Sequence, residues 1–415
     1  MSLHSAPYSS RNNPPHKRGS VTTGRGARTS VLHLTPALEI GTEAREVLDL
    51  AIQTHRAGWR PLIASAGGAL VLEAERAAVR HTRMPLNRGN TFARWRVRAQ
   101  LEALVQSERP SLAHVHGFAV LPHALALSTA HRVPLLIDLT DPVATVTPAM
   151  KRLVHEAAQH GARFRVPSEF MARHLRHDFA LTTDLLYRVP PGIDLAWYDS
   201  VRVTPERLHK LSALWRLPEN ATVIVMATPM APGYGHDVLL DALTRLKRDD
   251  IFVVLVGDDR IAPGTRAAIE RKVTALNLEG KVILPDVCAD WAAACWLASL
   301  IVATNNAPRG QALELLAAQA IGRPVIITDC GAHSEMALSG ETAWVVPTDN
   351  AEVLAQALTE AIGMNMAQRI DLAIRTRDFV AETFPYETWR DAMFQLYDML
   401  LAQPINAPSR GARSA

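Results

Sequence analysis

Residues 306–324 read NAPRGQALELLAAQAIGRP, and the four residues that follow read VIIT. Together they form a passage from a helix into a short, β-branched apolar strand. The same alternation continues along the chain, because short apolar runs are separated by longer stretches of helical period. This alternation predicts an α/β fold with parallel sheets built from βαβ units.

Two series of predicted strands follow one another. The first series comprises SVLHL (30–34), RPLIA (60–64), LAHVH (112–116), PLLIDL (134–139), RFRVP (163–167) and LLYRVP (185–190). The second comprises TVIVMAT (222–228), IFVVLVGD (251–258), KVILPDV (281–287), SLIVATN (299–305), PVIITD (324–329) and AWVVP (343–347). We therefore expect two doubly wound halves joined near residues 191–220, with ligands in the cleft beyond the carboxyl ends of the strands.

Length and composition fit a two-domain globular protein. The chain has 415 residues, which is more than one hydrophobic core usually organises. Its apolar fraction of 48% and its charged fraction of 20% are those of an ordinary globular protein. Its net charge of +3 comes from residues 1–38, which contain five Lys or Arg and no acid. The remainder is close to neutral, which argues against a nucleic-acid-binding surface on the body of the protein.

The cysteines give no sign of a metal or disulfide site. Cys288, Cys295 and Cys330 form no CxxC pair and have no His at zinc-finger spacing, so reduced structural thiols are expected. We therefore expect no metal and no cofactor. The sequence also lacks a long apolar membrane span and the apolar core of a signal peptide, which predicts a cytoplasmic location.

The first residues are rich in Ser, Pro, Gly, Asn and Arg, a composition typical of a disordered tail. Two interpretations of this basic tail stay open: it is solvated, or it contacts anionic lipid headgroups at the inner membrane. The predicted division of the chain is a basic tail (1–29), an N-terminal Rossmann-like domain (30–195), a C-terminal Rossmann-like domain (196–384), a terminal helix expected to pack back toward the N-terminal domain (385–402), and a second disordered tail (403–415).

The order of motifs shows a resemblance to a known family. HLTPALEIGTEAREVLDLA looks like its first strand, glycine-rich loop and helix, and AHVHG looks like its fourth strand. Further motifs in the family's order and spacing are RVPSEFMARHLRHDF, RVPPGIDLAWYD, HDVLLDALTRL, VVLVGDD, AIGRPVIITDCGAHSEM and GETAWVVPTDNAEVLAQAL. Over nearly all of residues 30–402, the chain resembles the family 4 retaining glycosyltransferases of the GT-B fold, also called glycosyl transferase group 1.

The resemblance implies two Rossmann-like domains facing a cleft, with the acceptor on the N-terminal side and the donor on the C-terminal side. It also implies transfer of a sugar, with retention at the anomeric carbon, from a nucleotide diphosphate donor to a glycan or lipid-linked acceptor in envelope polysaccharide synthesis. Negative charge grows on the leaving diphosphate during such a transfer. The phosphates therefore need cations or helix N-termini, and the ribose and sugar hydroxyls need carboxylates.

Both glutamates that the family places around the donor helix are replaced. Through the spacing to GRPVIITD, their positions fall on Arg309 and Ala317, and neither residue is a carboxylate. Glu314 lies three residues before Ala317, on an adjoining part of the same helix face. Glu314 is either a substitute ligand for the ribose or a solvated helix carboxylate.

The Arg and the Lys that bind phosphate in the family are replaced as well. The matching positions in TPMAPGYGHDVLL hold Pro229 and Tyr234. Arg309 is a candidate to replace the lost positive charge. His236 lies beside this stretch, either as a donor ligand or as a polar residue in the first turn of a helix.

The N-terminal half keeps some family positions and loses another. Thr140 replaces the family's His at the end of the fifth strand, and Asp141 follows it. Asp141 is a candidate base, although Asp-Pro after a strand is also an ordinary turn. His116 keeps its place at a strand end, as a catalytic or a structural residue. Gly41 keeps part of the glycine-rich loop, where we expect the donor.

Gly331 and Glu335, in the loop after PVIITD, also keep their places, and we expect them near the donor. The replaced positions nevertheless include the two carboxylates, the two phosphate cations and the acceptor-side His of the family. They are Arg309, Ala317, Pro229, Tyr234 and Thr140. Three hypotheses stay open: a transferase with rearranged groups, a catalytically inactive scaffold or regulatory partner of an active glycosyltransferase, and a nucleotide-sugar sensor.

Overall fold

The computed structural model of this chain describes residues 29–86, 91–143, 145–199, 201–246 and 248–402. The predicted tails, apart from Thr29, lie outside the described residues. Within these ranges the chain forms two parallel sheets flanked by helices. No helix in the described part combines the length and the apolarity needed to cross a membrane.

The N-terminal sheet has seven strands, which are β1 (Ser30–Leu34), β2 (Arg60–Ser65), β3 (Arg80–Arg83), β4 (Leu112–His116), β5 (Leu135–Asp138), β6 (Arg163–Val166) and β7 (Leu186–Arg188). Its helices are α1 (Thr42–Arg56), α2 (Val71–Arg76), α3 (Thr91–Glu108), α4 (Leu121–His131), α5 (Pro148–Gln159) and α6 (Glu169–Asp178). The strands lie in the order β3-β2-β1-β4-β5-β6-β7. The order reverses between β1 and β4, so the switch point of this doubly wound sheet lies beside these two strands.

The C-terminal sheet has six strands, which are β8 (Thr222–Ala227), β9 (Ile251–Val256), β10 (Val282–Ile283), β11 (Leu300–Ala303), β12 (Val325–Thr328) and β13 (Trp344–Val346). The remaining helices are α7 (Pro205–Leu214), α8 (His236–Leu243), α9 (Thr265–Ala275), α10 (Trp291–Leu297), α11 (Leu313–Ala320), α12 (Ala351–Gly363), α13 (Met366–Thr383) and α14 (Tyr386–Ala402). The strands lie in the order β10-β9-β8-β11-β12-β13, with the switch point between β8 and β11.

The predicted strands form, and the α/β fold class with two doubly wound parallel sheets is confirmed. Every residue of β1, β5, β11 and β12 is buried, which explains the continuous apolar runs in the sequence. β3, which reads RHTR, is not among the strands predicted from the sequence. This strand lies at the sheet edge with its side chains partly exposed, so it needs no apolar run.

The last helix, α14, packs against the N-terminal sheet. Tyr397 of α14 is fully buried, and its hydroxyl lies 2.8 Å from Nδ1 of His114 in β4. Phe394 meets the Trp59 ring edge-on, with ring centroids 5.4 Å apart. The chain therefore passes from the first sheet to the second after β7 and returns to the first before α14.

The two crossings between the sheets run side by side. Ile193 on the outward crossing and Pro385 on the return form a parallel β-bridge. Gly192 lies where they are closest, since a Cβ there would stand 2.6 Å from Cβ of Trp389 and 2.8 Å from Cα of Tyr386. Only a residue without a side chain allows this approach.

We expect Gly192→Ala to destabilise the protein by roughly 1–3 kcal/mol, because the added methyl group must displace the start of α14. Gly363→Ala is the matched control, since a Cβ at that position meets no atom within 4 Å. Its effect should stay within about 0.5 kcal/mol. Equilibrium unfolding in urea measures both changes, and equal stabilities of the two variants would contradict the tight packing at Gly192.

Candidate functional site

The two sheets approach each other at the carboxyl ends of their strands. The point of contact is residues 306–312, which connect β11 to α11 and which we call the bridging loop. The bridging loop meets the segments that follow β5 and β6 through an ion pair and hydrogen bonds. The candidate site therefore draws residues from both halves of the chain.

Asp141 holds the bridging loop by two contacts. Its carboxylate forms an ion pair with Arg309 at 2.9 Å and accepts a hydrogen bond from the Gly310 N–H at 3.0 Å. The side chains of Arg309 and Asp141 remain 28% and 29% exposed, so both are accessible from solvent. The structure thus brings together the predicted acceptor-side base and the predicted replacement cation.

Gly310 is packed too closely to carry a side chain. A Cβ at this position would collide with the Thr140 carbonyl oxygen and with the side chain of Met171. The carbonyl oxygen of Gly310 accepts a hydrogen bond from Oγ of Ser168 at 2.7 Å. Because these partners all belong to the N-terminal half, the cleft is closed at the bridging loop.

Arg309 is oriented by an aromatic ring and by its own backbone. Its guanidinium carbon lies 4.5 Å from the centroid of the Tyr234 ring, a cation–π contact. Gly331, at a φ of 65°, packs so closely on the Arg309 backbone that a Cβ would collide with it. The Ala332 N–H also donates to the Arg309 carbonyl at 2.8 Å. Gly331 therefore supports the cation, and its predicted contact with the donor stays a prediction.

Two further carboxyl groups lie within electrostatic reach of Arg309. Burial raises the pKa of Glu314, at the start of α11, to about 7. Glu43, at the start of α1, keeps contact with water, yet the cleft walls partly desolvate its carboxyl. Together with the negative charge of Asp141, this raises the pKa of Glu43 to about 7. Both groups can therefore take up or release a proton near neutral pH.

Position 317, which lacks the carboxylate that the family resemblance implies, holds a buried alanine. Ala317 is 1% exposed and packs in the apolar core between α11 and the C-terminal sheet. A carboxylate there would lose its hydration among apolar side chains, which is strongly unfavourable. Glu314, one turn earlier, is the α11 carboxyl that interacts with the charges of the cleft.

Glu335 caps a helix of the opposite half. Its carboxylate oxygens accept hydrogen bonds from the N–H groups of Glu169 and Phe170, each at 2.7 Å. These are the first two residues of α6, whose N–H groups have no partner within the helix. Glu335 thus contributes to closing the cleft, and its predicted contact with the donor stays a prediction.

Gly41 and His236 stand at the starts of two helices, α1 and α8. Gly41 has an extended backbone that any residue can adopt, and no atom lies within 4 Å of the place of a Cβ. His236 is 5% exposed, and its Nε2 lies 3.4 Å from Oγ1 of Thr228. Burial lowers the pKa of His236 to about 4, so the ring is neutral. A donor contact at either residue stays a prediction.

His116 belongs to a group with His33 and His114, which we call the histidine cluster. Nε2 of His116 lies 3.3 Å from Nδ1 of His33, and its ring centroid lies 4.0 Å from that of His114. Burial lowers the pKa of all three rings well below the usual value. A catalytic role of His116 stays a prediction, and the structure shows that it is not isolated.

Sequence reasoning missed the charged residues that support the site from the N-terminal sheet. Arg165 is fully buried, and its Nη1 lies 3.2 Å from Asp138 and 2.9 Å from Glu46. The Glu46 carboxylate in turn accepts a hydrogen bond from Gln311 of the bridging loop at 3.4 Å. A signal was present, because the predicted buried strands β5 and β6 each contain an ionisable residue that needs a partner.

Two family profiles match this chain, one in each half. The profile described as Glycosyltransferase Family 4 matches residues 44–197. The profile described as Glycosyl transferases group 1 matches residues 221–363. The gap between the two matches coincides with the outward crossing from the first sheet to the second.

Curated relatives are similar over part of their length. The D-inositol 3-phosphate glycosyltransferase of Jonesia denitrificans is 27% identical over 198 residues, and that of Rhodococcus opacus is 29% identical over 217 residues. These matches cover 46% and 51% of this chain, and 46% and 47% of the relatives. The matched part thus spans about half the length of the curated relatives.

Solved structures match over most of the chain. A glycosyltransferase from Rickettsia africae ESF-5 has a TM-score of 0.79 and 22% identity, covering 91% of this chain and 100% of its own. Anabaena Alr3699/HepE in complex with UDP-glucose has a TM-score of 0.79 and 18% identity, covering 89% of this chain and 99% of its own. At these identities the likeness establishes the fold, which is GT-B.

We expect Glu314→Gln to stabilise the protein above neutral pH. The pKa of Glu314 in the folded chain is about 7, above the ordinary value of 4.5. At a pH between these two values, Glu314 keeps a proton in the folded chain that it releases in the unfolded chain. Stability therefore falls as the pH rises through this window, and glutamine removes the loss. The gain should be on the order of 1 kcal/mol at pH 8 and absent at pH 4.

Unfolding in urea at both pH values measures this change. Glu279→Gln, at an exposed position between α9 and β10, is the matched control and should have the same small effect at both pH values. A stability gain for Glu314→Gln that is equal at pH 4 and pH 8 would contradict the desolvation of this carboxyl group.

Proposed function

Because this chain belongs to glycosyltransferase family 4, we propose that it transfers a sugar from a nucleoside diphosphate donor to an acceptor hydroxyl. The donor binds in the cleft with its diphosphate at Arg309. The acceptor is a glycan or lipid-linked hydroxyl of envelope polysaccharide synthesis and approaches from the N-terminal half. The nucleotide sugar is a substrate of this transfer, and the transfer as proposed uses no cofactor.

The observation that carries this proposal is the cation at the bridging loop. Arg309 keeps 28% of its side chain exposed, and the Tyr234 ring holds its guanidinium in place. A guanidinium can donate two parallel hydrogen bonds to phosphate oxygens. As the bond to the leaving diphosphate breaks, negative charge grows on these oxygens, and an already oriented cation stabilises it.

Donor binding, in this proposal, frees Asp141 for proton transfer. The diphosphate competes with the Asp141 carboxylate for Arg309, and its binding breaks the 2.9 Å ion pair. Asp141 then accepts the proton of the acceptor hydroxyl as the acceptor oxygen bonds to the anomeric carbon. The bond from that carbon to the phosphate oxygen breaks, and its electron pair leaves with the diphosphate.

Glu314 is the proposed ligand of the donor ribose. Position 317 is buried in the core, so the α11 carboxyl group available to the cleft is that of Glu314. Its ionised form can accept hydrogen bonds from two neighbouring hydroxyls. The positive charge of Arg309 already lowers the pKa of Glu314 against the effect of burial, which favours that ionised form.

An inactive scaffold and a nucleotide-sugar sensor are the alternatives to a transferase. The relatives described above carry transferase names, which favours a transferase over a scaffold. A sensor would use the same donor contacts without turnover. Release of nucleoside diphosphate in the presence of acceptor glycans therefore distinguishes a transferase from a sensor.

We expect Arg309→Ala to weaken the binding of UDP or UDP-glucose by at least about tenfold, since a hydrogen bond to a charged group contributes roughly 1.5–3 kcal/mol. Arg309→Lys should have an intermediate affinity, because Lys keeps the charge but lacks the two-pronged geometry. Calorimetric titration with UDP, GDP, ADP and the matching nucleotide sugars measures these affinities.

Arg271→Ala is the matched control for this titration. Arg271 is exposed on α9 of the same half, and its removal should leave the affinity unchanged. Equal affinities of the wild type and Arg309→Ala would contradict the role of Arg309. A wild-type protein that binds no member of the panel would contradict the proposed function itself.

A further inference from the structure

The histidine cluster lies on one face of the N-terminal sheet, at its switch point. His33 in β1 stands in register with His114 in β4. His116 lies two residues further along β4, and side chains two residues apart on a strand share a face. His116 itself stands in register with Asp138 in β5. The fold thus collects four ionisable side chains from three neighbouring strands.

The three histidines are close enough to share one metal ion. One ligand nitrogen of each lies within 4.8 Å of those of the other two. Nδ1 of His33 and Nε2 of His116 are 3.3 Å apart. Two ligands of a tetrahedral zinc ion with bonds of about 2.0 Å are separated by about the same distance.

Asp138 determines which nitrogens are available as ligands. Its Oδ1 lies 3.2 Å from Nε2 of His114, and its Oδ2 lies 3.7 Å from Nδ1 of His116. The negative charge favours an N–H on each of these facing nitrogens. The lone pairs then lie on Nδ1 of His114 and Nε2 of His116. Neither contact is a hydrogen bond in this structure, so Asp138 acts on the two imidazoles through its charge.

Several buried polar atoms of this group lack hydrogen-bond partners. They are Nε2 of His33, Nε2 of His114 and Oδ1 of Asp138. The 3.2 Å approach of the last two therefore lacks the alignment of a hydrogen bond. Unpaired buried polar atoms are rare in native proteins.

We propose that His33, His114 and His116 bind one divalent transition-metal ion, with Asp138 orienting two of the three imidazoles. Three imidazole nitrogens within 4.8 Å of one another, two of them at tetrahedral spacing, suit Zn²⁺. A water molecule supplies the fourth ligand, and the Tyr397 hydroxyl, which lies 2.8 Å from Nδ1 of His114, gives up that hydrogen bond when His114 binds the ion.

The surroundings can accept both the ion and its charge. The side chain of His116 is 12% exposed, whereas that of His114 is fully buried, so the ion enters past His116. The nearby cation, Arg165, is already paired with Asp138 and Glu46. The metal ion therefore does not meet an unpaired positive charge.

This proposal replaces the expectation of no metal site, which rested on cysteine spacing. His33 and His116 are 83 positions apart, and only the pairing of β1 with β4 brings them together. The ion would support the N-terminal sheet, so the proposal is independent of the sugar transfer proposed above.

Metal binding can be tested on the full chain after removal of any purification tag and stripping with a chelator. Titration with Co²⁺ should produce the intense visible absorption of a tetrahedral site and saturate at one equivalent. Elemental analysis after reloading with Zn²⁺ and dialysis should find one ion per chain. Added Zn²⁺ should also raise the Tm by several degrees, because an ion that binds only the folded state stabilises it.

Two variants and a control make the assignment specific. His116→Gln removes the ligand at the exposed edge of the histidine cluster, and His33→Asn removes a buried ligand. Each variant should lose the Co²⁺ absorption and weaken Zn²⁺ binding at least tenfold. His177→Gln, whose side chain is 89% exposed, should keep both. A wild-type protein that takes up no Co²⁺ or Zn²⁺, or folded variants that bind as the wild type does, would overturn the proposal.

Discussion

A guanidinium group without any exposed surface lies within the N-terminal sheet, and its charge must be paired there. The partners of Arg165 are the carboxylates of Asp138 and Glu46 and the carbonyl oxygen of Val189. Asp138 connects this network to the histidine cluster, and Glu46 connects it to Gln311 of the bridging loop. One buried charge therefore fixes the position of α1, of the histidines and of the contact between the two halves.

Most of the fold is predictable because strands buried on both faces must be continuously apolar, as β12 is. β3 escaped prediction because an edge strand is free of that demand. In the candidate site, Arg309, Asp141 and Glu314 could be found from motif positions next to strand ends. The roles of Glu43 and of the histidine cluster could not be predicted. They depend on which strands become neighbours and on how closely the two halves approach each other, and no local sequence pattern specifies either.

The replacements at the cleft are related in space. Positions that carry a carboxylate and a cation in the family hold Arg309 and Tyr234 here, and these two residues are in contact. The family resemblance implies a cation at position 234, and the charge of Arg309 stands beside that position. Asp141, which follows the replaced His position, pairs with Arg309. Two changes that look like separate losses in the sequence are therefore in contact in the structure.

Helix α14 completes a core that begins near the other end of the chain. Its Tyr397 covers His114, which precedes it by 283 positions, and its other apolar side chains pack on Val31 and Trp59. On the ribosome, the first sheet therefore emerges with one apolar face uncovered and stays so until the second sheet has been synthesised. A nascent chain that stalls before residue 386 lacks α14 and leaves these apolar side chains of the first sheet uncovered.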